Sequence, residues 1–261
     1  MVKFKFFCLG LAIYLLTACA SIEGPLDEND PYESYNRSMN SFNVSFDDYI
    51  LKPVAESYRD YVPNPIQTGI NNFFSNLNDI TVIANDLLQF NFVQLVQDAS
   101  RFAFNTTAGF LGIFDVATSM DLPKHNEDFG QTFAVWGYKD SAYLILPVIG
   151  LAGGTIRDSI GFGIDTLYLN VLVPSDLNNI YWGAIIIKNI DVRANLLNAS
   201  KVLEQAALDP YIFKRESYLS KRKSLIYNGN PPIAKIEFPK DDIDLELELE
   251  LELEMQKQLT N

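Results

Sequence analysis

Little in this 261-residue chain is equipped for covalent chemistry: it has one histidine, His125, and two cysteines, Cys8 and Cys19. It contains no H-E-x-x-H, no paired Cys/His metal spacing and no G-x-S-x-G, which excludes the common motif-bearing metalloenzymes and hydrolases. Gly153-Gly154 and Gly161-Phe162-Gly163 complete neither a dinucleotide fingerprint nor a phosphate loop. His125 stands in the run Leu122-Pro123-Lys124-His125-Asn126-Glu127-Asp128 without local support for a Ser-His-Asp arrangement, and reads as an ordinary loop histidine. No catalytic residue, metal or cofactor is expected. Basic residues are also scarce, 20 against 33 acidic, which argues against nucleic acid as a partner because phosphate binding relies on basic patches. Membrane-spanning runs are missing as well. Ser141 to Ile156 is uncharged over 16 residues but holds Pro147, Gly150, Gly153 and Gly154, and a spanning helix needs about 20 apolar residues.

What is present begins at the N-terminus. Lys3 and Lys5 precede an apolar stretch from Phe6 to Leu16, the pattern of a secretory signal. Leu16-Thr17-Ala18-Cys19 then sets one large and two small residues before a cysteine, as a lipoprotein signal peptidase requires. Residues 1–18 are expected to be removed and Cys19 to carry lipid, each buried methylene contributing about 0.8 kcal/mol. Cys8 leaves with the signal, so no disulfide is available to the mature chain. Loss of Lys3 and Lys5 leaves 18 basic against 33 acidic residues. Ala20 and Ser21 follow the cysteine in place of an aspartate that would favour inner-membrane retention, so the periplasmic face of an outer membrane is expected.

Further on the chain reads as helical. Asp30-Pro31-Tyr32-Glu33 predicts a helix start with Asp30 as cap and Glu33 completing a capping box. Tyr32, Tyr35, Met39, Phe42, Phe46 and Tyr49 share one stripe, suited to a membrane interface or to packing against other helices, with Asn36, Arg37, Ser41, Asp47 and Asp48 opposite. Lys52-Pro53 marks a break, Pro63-Asn64-Pro65 a turn, helical runs follow at Ile66 to Leu77 and Thr81 to Phe90, and a further segment, Phe92 to Thr107, leads to Gly109 and Gly112. Ser141 to Ile156 suits a turn-containing insertion into one leaflet or a buried core segment, as do the shorter runs Leu167 to Val173 and Ile180 to Ile187. Ile190 to Leu208 is an amphipathic helix, and Asp209-Pro210 opens another by cap and proline. That last helix carries Lys214, Arg215, Lys221, Arg222 and Lys223, a face for anionic headgroups, an acidic partner or plain solvent. Beyond Pro231-Pro232 comes an acidic low-complexity tail in which Leu245 to Glu254 alternates leucine and glutamate.

Several motifs resemble the MlaA (VacJ) family of outer-membrane phospholipid-transport lipoproteins over nearly the whole mature body. They are Asp30-Pro31-Tyr32-Glu33 with Asn36-Arg37, Lys52-Pro53-Val54-Ala55 with Tyr58, Asn72-Phe73-Phe74-Ser75-Asn76-Leu77, Leu88-Gln89, and Arg101-Phe102 with Asn105-Thr106-Thr107. Gly109, Gly112, Asp115-Val116-Ala117, Asp128-Phe129-Gly130-Gln131-Thr132, Leu146-Pro147, Arg157-Asp158 and Asp209-Pro210-Tyr211 with Arg215 and Tyr218 follow in family order. The resemblance implies a largely α-helical ring in the inner leaflet of the outer membrane around an amphipathic channel. It also implies association with trimeric porins, removal of stray outer-leaflet phospholipid, and delivery to a periplasmic carrier that feeds an inner-membrane ABC transporter, with no enzymatic step. In one respect the chain departs from the family. The loop after Trp136-Gly137 is typically glycine-rich, and here reads Tyr138-Lys139-Asp140-Ser141-Ala142.

The expected architecture is therefore an all-α, single-domain ring of amphipathic helices in one leaflet around a channel. Residues 19–29 serve as anchor and linker, 30–232 as the helical domain and 233–261 as a disordered acidic tail. Cys19 is the lipid attachment, and Gly137, Arg157 and Asp158 are candidates for the lipid path. The alternative is an envelope adaptor that holds a porin without moving lipid.

Overall fold

The computed structural model describes residues 30–147, 154–172 and 178–232. Helix α1, Glu33–Phe46, runs through a π-helical turn at Asp47–Leu51 into α2, Lys52–Tyr61. Pro53 lacks the N–H that a continuing α-helix would use, and the wider π-helical turn just before it accommodates the loss, so the Lys52-Pro53 break is a wide turn in a continuing helix. Pro63 and the β-region residue Val62 end α2, and α3 spans Asn64–Leu88 with Pro65 at its start. The two runs read separately before and after Asn78 thus form one 25-residue helix. Helix α4 is Phe92–Thr107, the segment that leads to Gly109 and Gly112, and the short α5 is Phe129–Val135.

The uncharged stretch folds back on itself at its ends. Strand β1, Tyr143–Leu144, pairs antiparallel with β2, Gly154–Thr155, in the register Tyr143 with Thr155 and Leu144 with Gly154. Helix α6 follows at Ile156–Leu172, α7 at Asn178–Ala206 and α8 at Pro210–Ile226. Helix α7 joins the apolar run from Ile180 to the amphipathic segment from Ile190 in one 29-residue helix. Asp209 caps α8 as expected, accepting from the backbone N–H groups of Tyr211 and Ile212. Asp30 does not act as a cap: Tyr32 holds the N-cap position without a side-chain bond, and Glu33 pairs with Arg37 at 2.7 Å. The Asp30 carboxylate is drawn off by a stronger partner, described below.

Helix α3 lies along α4, α2 along α7, and α5 against α6. Small apolar clusters seal these contacts. Ala55, Ala194, Leu197 and Tyr58 join α2 to α7, while Tyr143, Ile145 and Tyr211 gather Met39, Tyr218 and Leu219. No described helix is long and apolar enough to cross a membrane.

Candidate functional site

The described residues are packed with inverted polarity. Nine apolar side chains are buried against twenty polar or charged ones, while 35 large apolar residues are exposed. Helix α4 shows the pattern plainly. Gln94, Asp98, Arg101 and Asn105, at spacings of four, three and four, form its buried stripe, and Phe92, Val93, Val96 and Phe104 face outward. Helix α1 buries Asn36 and Asn43, seven residues apart, and exposes Phe42, while Tyr32 before it and Tyr49 in the turn after it are exposed as well. Of the face read from sequence as polar, Asn36 turns inward while Ser41 and Asp48 stay exposed, and Met39 of the apolar stripe packs inward beside it. In water this arrangement sacrifices the apolar burial that drives folding; in contact with acyl chains it is favoured, because polar groups must then find partners inside.

Those partners are found. Asp30, 1 % exposed, accepts from Arg215 Nη1 at 3.0 Å, from Asn36 Nδ2 at 2.7 Å and from the Tyr211 hydroxyl. Asn36 also bridges to the Tyr143 carbonyl at 3.0 Å and receives the Ile145 N–H at 2.9 Å, tying α1 to the strand pair. Burial, with Asp30 second, raises the pKa of Tyr211, so its proton stays available for the bond to Asp30.

One face of α8 carries Tyr211, Arg215, Tyr218 and Arg222, at spacings of four, three and four. The basic cluster read from sequence therefore divides: Arg215 and Arg222 are buried, and Lys221 and Lys223 face outward. Arg222 grips Asp128 with two bonds of 2.6 and 2.5 Å and reaches Asp158 at 2.8 Å. Burial alone would raise the Asp128 carboxyl, but hydrogen bonds and charge from Arg222 outweigh it and hold that carboxyl below its ordinary range. Tyr218 donates to the other oxygen of Asp158 at 2.6 Å, and Arg157 meets Asp158 at 2.9 and 3.0 Å. Close helix approach makes this possible, since a Cβ on Gly161 would lie 2.3 Å from the Gly130 nitrogen.

A cavity of about 290 Å³ opens beside these ions. Asp128, Asp158, Asp165, Tyr218 and Arg222 form its polar lining, with Leu144, Leu146 and Phe162 as its apolar one. Asp165 accepts the Phe129 N–H at 3.2 Å, and burial pushes its carboxyl up to about 6. A second polar layer lies between α3, α4 and the loop that follows. There Gln89 and Gln94 hold Glu127, Thr132 donates to Asn85 at 2.7 Å, Lys124 pairs with Asp79, and Arg101 pairs with Asp115. His125 Nδ1 lies 2.8 Å from the buried Asp98, so it is an anchored side chain of this layer. Asp86 is buried beside Asp98, and burial, then the charges of Asp98 and Glu127, pushes it up to about 8. No group of three or more His, Cys, Asp or Glu among the described residues could hold a metal ion. On α7, Lys188 touches solvent, yet burial and then Lys124 lower its pKa.

Of the candidates read from sequence, Arg157 and Asp158 are adjacent members of the buried ion network. Gly137 is not in it: it closes α5 on an exposed turn at φ +114, with open space around it. The two are linked through the chain, because Arg157 Nη1 holds the carbonyls of Tyr138 and Lys139 at 3.2 and 2.7 Å, and its N–H donates to Ser141 Oγ at 2.9 Å. The glycine-poor loop is thus fastened to α6. Cys19 and the acidic tail lie outside the described residues. Sequence reasoning missed Asp128, Asp165 and Arg222 as site residues. Arg215 and Arg222 lie seven apart, as do Tyr211 and Tyr218, and that spacing is the signal that finds this face.

A mostly helical body with charge inside and apolar surface outside is the construction of a protein that meets lipid. The model of the MlaA lipoprotein family matches residues 28–225, and the chain belongs to that family. It is 36 % identical to the "Intermembrane phospholipid transport system lipoprotein MlaA" of Shigella flexneri, over 93 % of this chain and 99 % of that one. The protein of the same description from Escherichia coli is 35 % identical over the same shares, and that of Haemophilus influenzae 30 % over 88 % and 94 %. A structure solved in work on the structural basis for maintenance of bacterial outer membrane lipid asymmetry is similar, with a TM-score of 0.63 at 34 % identity. It covers 77 % of this chain and 99 % of its own.

Proposed function

We propose that this lipoprotein removes phospholipid that has strayed into the outer leaflet of the outer membrane and so maintains the lipid asymmetry of that membrane. The observation that carries the reading is the inverted polarity, together with membership of a family whose relatives are described as intermembrane phospholipid transport lipoproteins. A lipid crossing a protein needs a polar path for its headgroup and apolar surface for its acyl chains, and no bond need be made or broken. The exposed aromatic and aliphatic side chains supply the second, and the ion-lined interior supplies the first.

In this reading Cys19 anchors the chain by lipid on the periplasmic side, residues 19–29 link it, and residues 30–232 form a ring of helices in the inner leaflet around an amphipathic channel. Residues 233–261 form an acidic tail. Arg157 and Asp158 shape the lipid path, with Gly137 on the turn that Arg157 fastens. The protein works without enzymatic chemistry, beside a trimeric porin, and hands lipid to a soluble periplasmic carrier. Deletion of the gene tests this. Surface-exposed phospholipid rises in the deletion strain and returns to normal on complementation; an unchanged level would mean that the protein holds the envelope together without moving lipid.

A further inference from the structure

Two buried carboxyls on neighbouring helices lack donors. Asp86 of α3 is 1 % exposed, and Asp98 of α4 is fully buried. Both oxygens of Asp86 and the Oδ1 of Asp98 are shut off from solvent and accept no hydrogen bond, although the two side chains stand within bonding reach of each other. Two ionised carboxylates have no proton to share, and each stranded acceptor is costly in a protein interior. The other oxygen of Asp98 has its partner: His125 Nδ1 lies 2.8 Å from Oδ2, and towards a carboxylate the ring nitrogen donates. The cations around the pair are engaged elsewhere, Lys124 by Asp79, Arg101 by Asp115, and Arg222 by Asp128 and Asp158. Lys188 of α7 stands beyond Lys124. On the adjoining loop Glu127 adds a third carboxylate, held by the neutral amides of Gln89 and Gln94.

We propose that Asp86 is a proton-binding site: it carries a proton and donates it in a hydrogen bond to Asp98 Oδ1, so that one proton clasps α3 to α4. The proton turns a repelling pair into a hydrogen bond with a charged acceptor, which is shorter and stronger than a neutral one. Burial, then the charges of Asp98 and Glu127, pushes the Asp86 carboxyl up to about 8, in keeping with that hold. Loss of the proton leaves Asp86, Asp98 and Glu127 ionised together in one layer. Their repulsion bears on the loop, because His125 and Glu127 are bound there, and the next residue is Asp128, which Arg222 grips on the cavity wall. The clasp is therefore a pH-sensitive switch, closed with the proton bound and loosened, together with the Asp128 wall of the cavity, as pH rises through about 8. It stands apart from the phospholipid reading, since no ligand of the cavity enters it.

Infrared spectroscopy of the purified full-length lipoprotein in detergent, with its aspartate carboxyls isotope-labelled, reads the proton directly. The wild type shows at pH 7 a carboxylic-acid C=O band that moves with the label and fades by pH 9. Asp86→Asn, which keeps the shape and neutrality of the protonated acid, lacks the band, and Asp165→Asn retains it. Asp98→Asn keeps Asp86 but removes the neighbouring charge, so its band fades at a pH lower by about one unit or more. Amide hydrogen exchange then tests the clasp. Corrected for the intrinsic rate, exchange in the α3–α4 layer and in residues 124–128 rises about five-fold or more between pH 7 and pH 9 in the wild type, and less than about two-fold in Asp86→Asn. No acid band at pH 7, a band that survives in Asp86→Asn, a band that fades at the wild-type pH in Asp98→Asn, or exchange that rises equally in wild type and Asp86→Asn would each overturn the assignment.

Discussion

Asp30 and Arg215 lie 185 residues apart in the chain and meet in a buried ion pair of 3.0 Å. The pair joins the start of the helical body to its last helix, and Tyr211 and Asn36 complete the shell of the carboxylate. Taking both charges from water is costly, and removing one strands the other, at a cost of about 3–5 kcal/mol. Asp30→Asn and Arg215→Met each lower unfolding stability by roughly that amount in detergent denaturation. The double variant costs less than the two single losses added, because no charge is then stranded. Additive losses would show that the two side chains do not act as a pair.

The glycines of α5 and α6 separate close packing from backbone freedom. A Cβ on Gly130 would stand 2.4 Å from Arg222 Nη2 and 2.5 Å from Asp158 Oδ1. Gly130→Ala and Gly161→Ala should each cost about 1–3 kcal/mol or more, through overpacking against ions and backbone that cannot yield. Gly137→Ala meets nothing within 4 Å, and only its φ of +114 is strained, a cost of about 1 kcal/mol. Thermal or denaturant unfolding of the three variants gives the ranking, and a Gly137 variant as damaged as the others would refute it.

Asp86 makes the stability of the α3–α4 layer depend on pH. Its folded carboxyl titrates near 8, well above the ordinary carboxylate range, because burial and then the charges of Asp98 and Glu127 disfavour ionisation. A raised acid binds its proton more tightly when folded, so its stabilising contribution is full at low pH and is lost as pH rises towards 8. Asp86→Asn removes the titration. Relative to that variant the wild type loses on the order of a few kcal/mol between pH 5 and pH 8, read from unfolding at both values. A difference that stays constant with pH would contradict the assignment.

Much of this architecture is written in local pattern. The cap at Asp209 follows from the proline beside it, because it depends on residues a few positions apart. Periodicity identifies which residues share a face but not which face turns inward. In α1 Asn36 turns inward while Phe42 looks outward, a sense that hydropathy alone does not carry. Asp30 looks like a cap beside Pro31, and only the return of Arg215 from the far end of the chain reassigns it. Asp165 carries no motif, and its meaning comes from a cavity whose other walls arrive from α8 and the strand pair.

Inverted polarity predicts that the body is held by lipid through its own surface, with the acyl group on Cys19 as a second attachment. The direct measurement is the partition of a Cys19→Ser variant exported with a cleavable, non-lipoprotein signal. The variant should still sediment with membranes and resist a high-salt wash. Full recovery in the soluble periplasmic fraction, folded, would show that the lipid is its only attachment and would contradict the account.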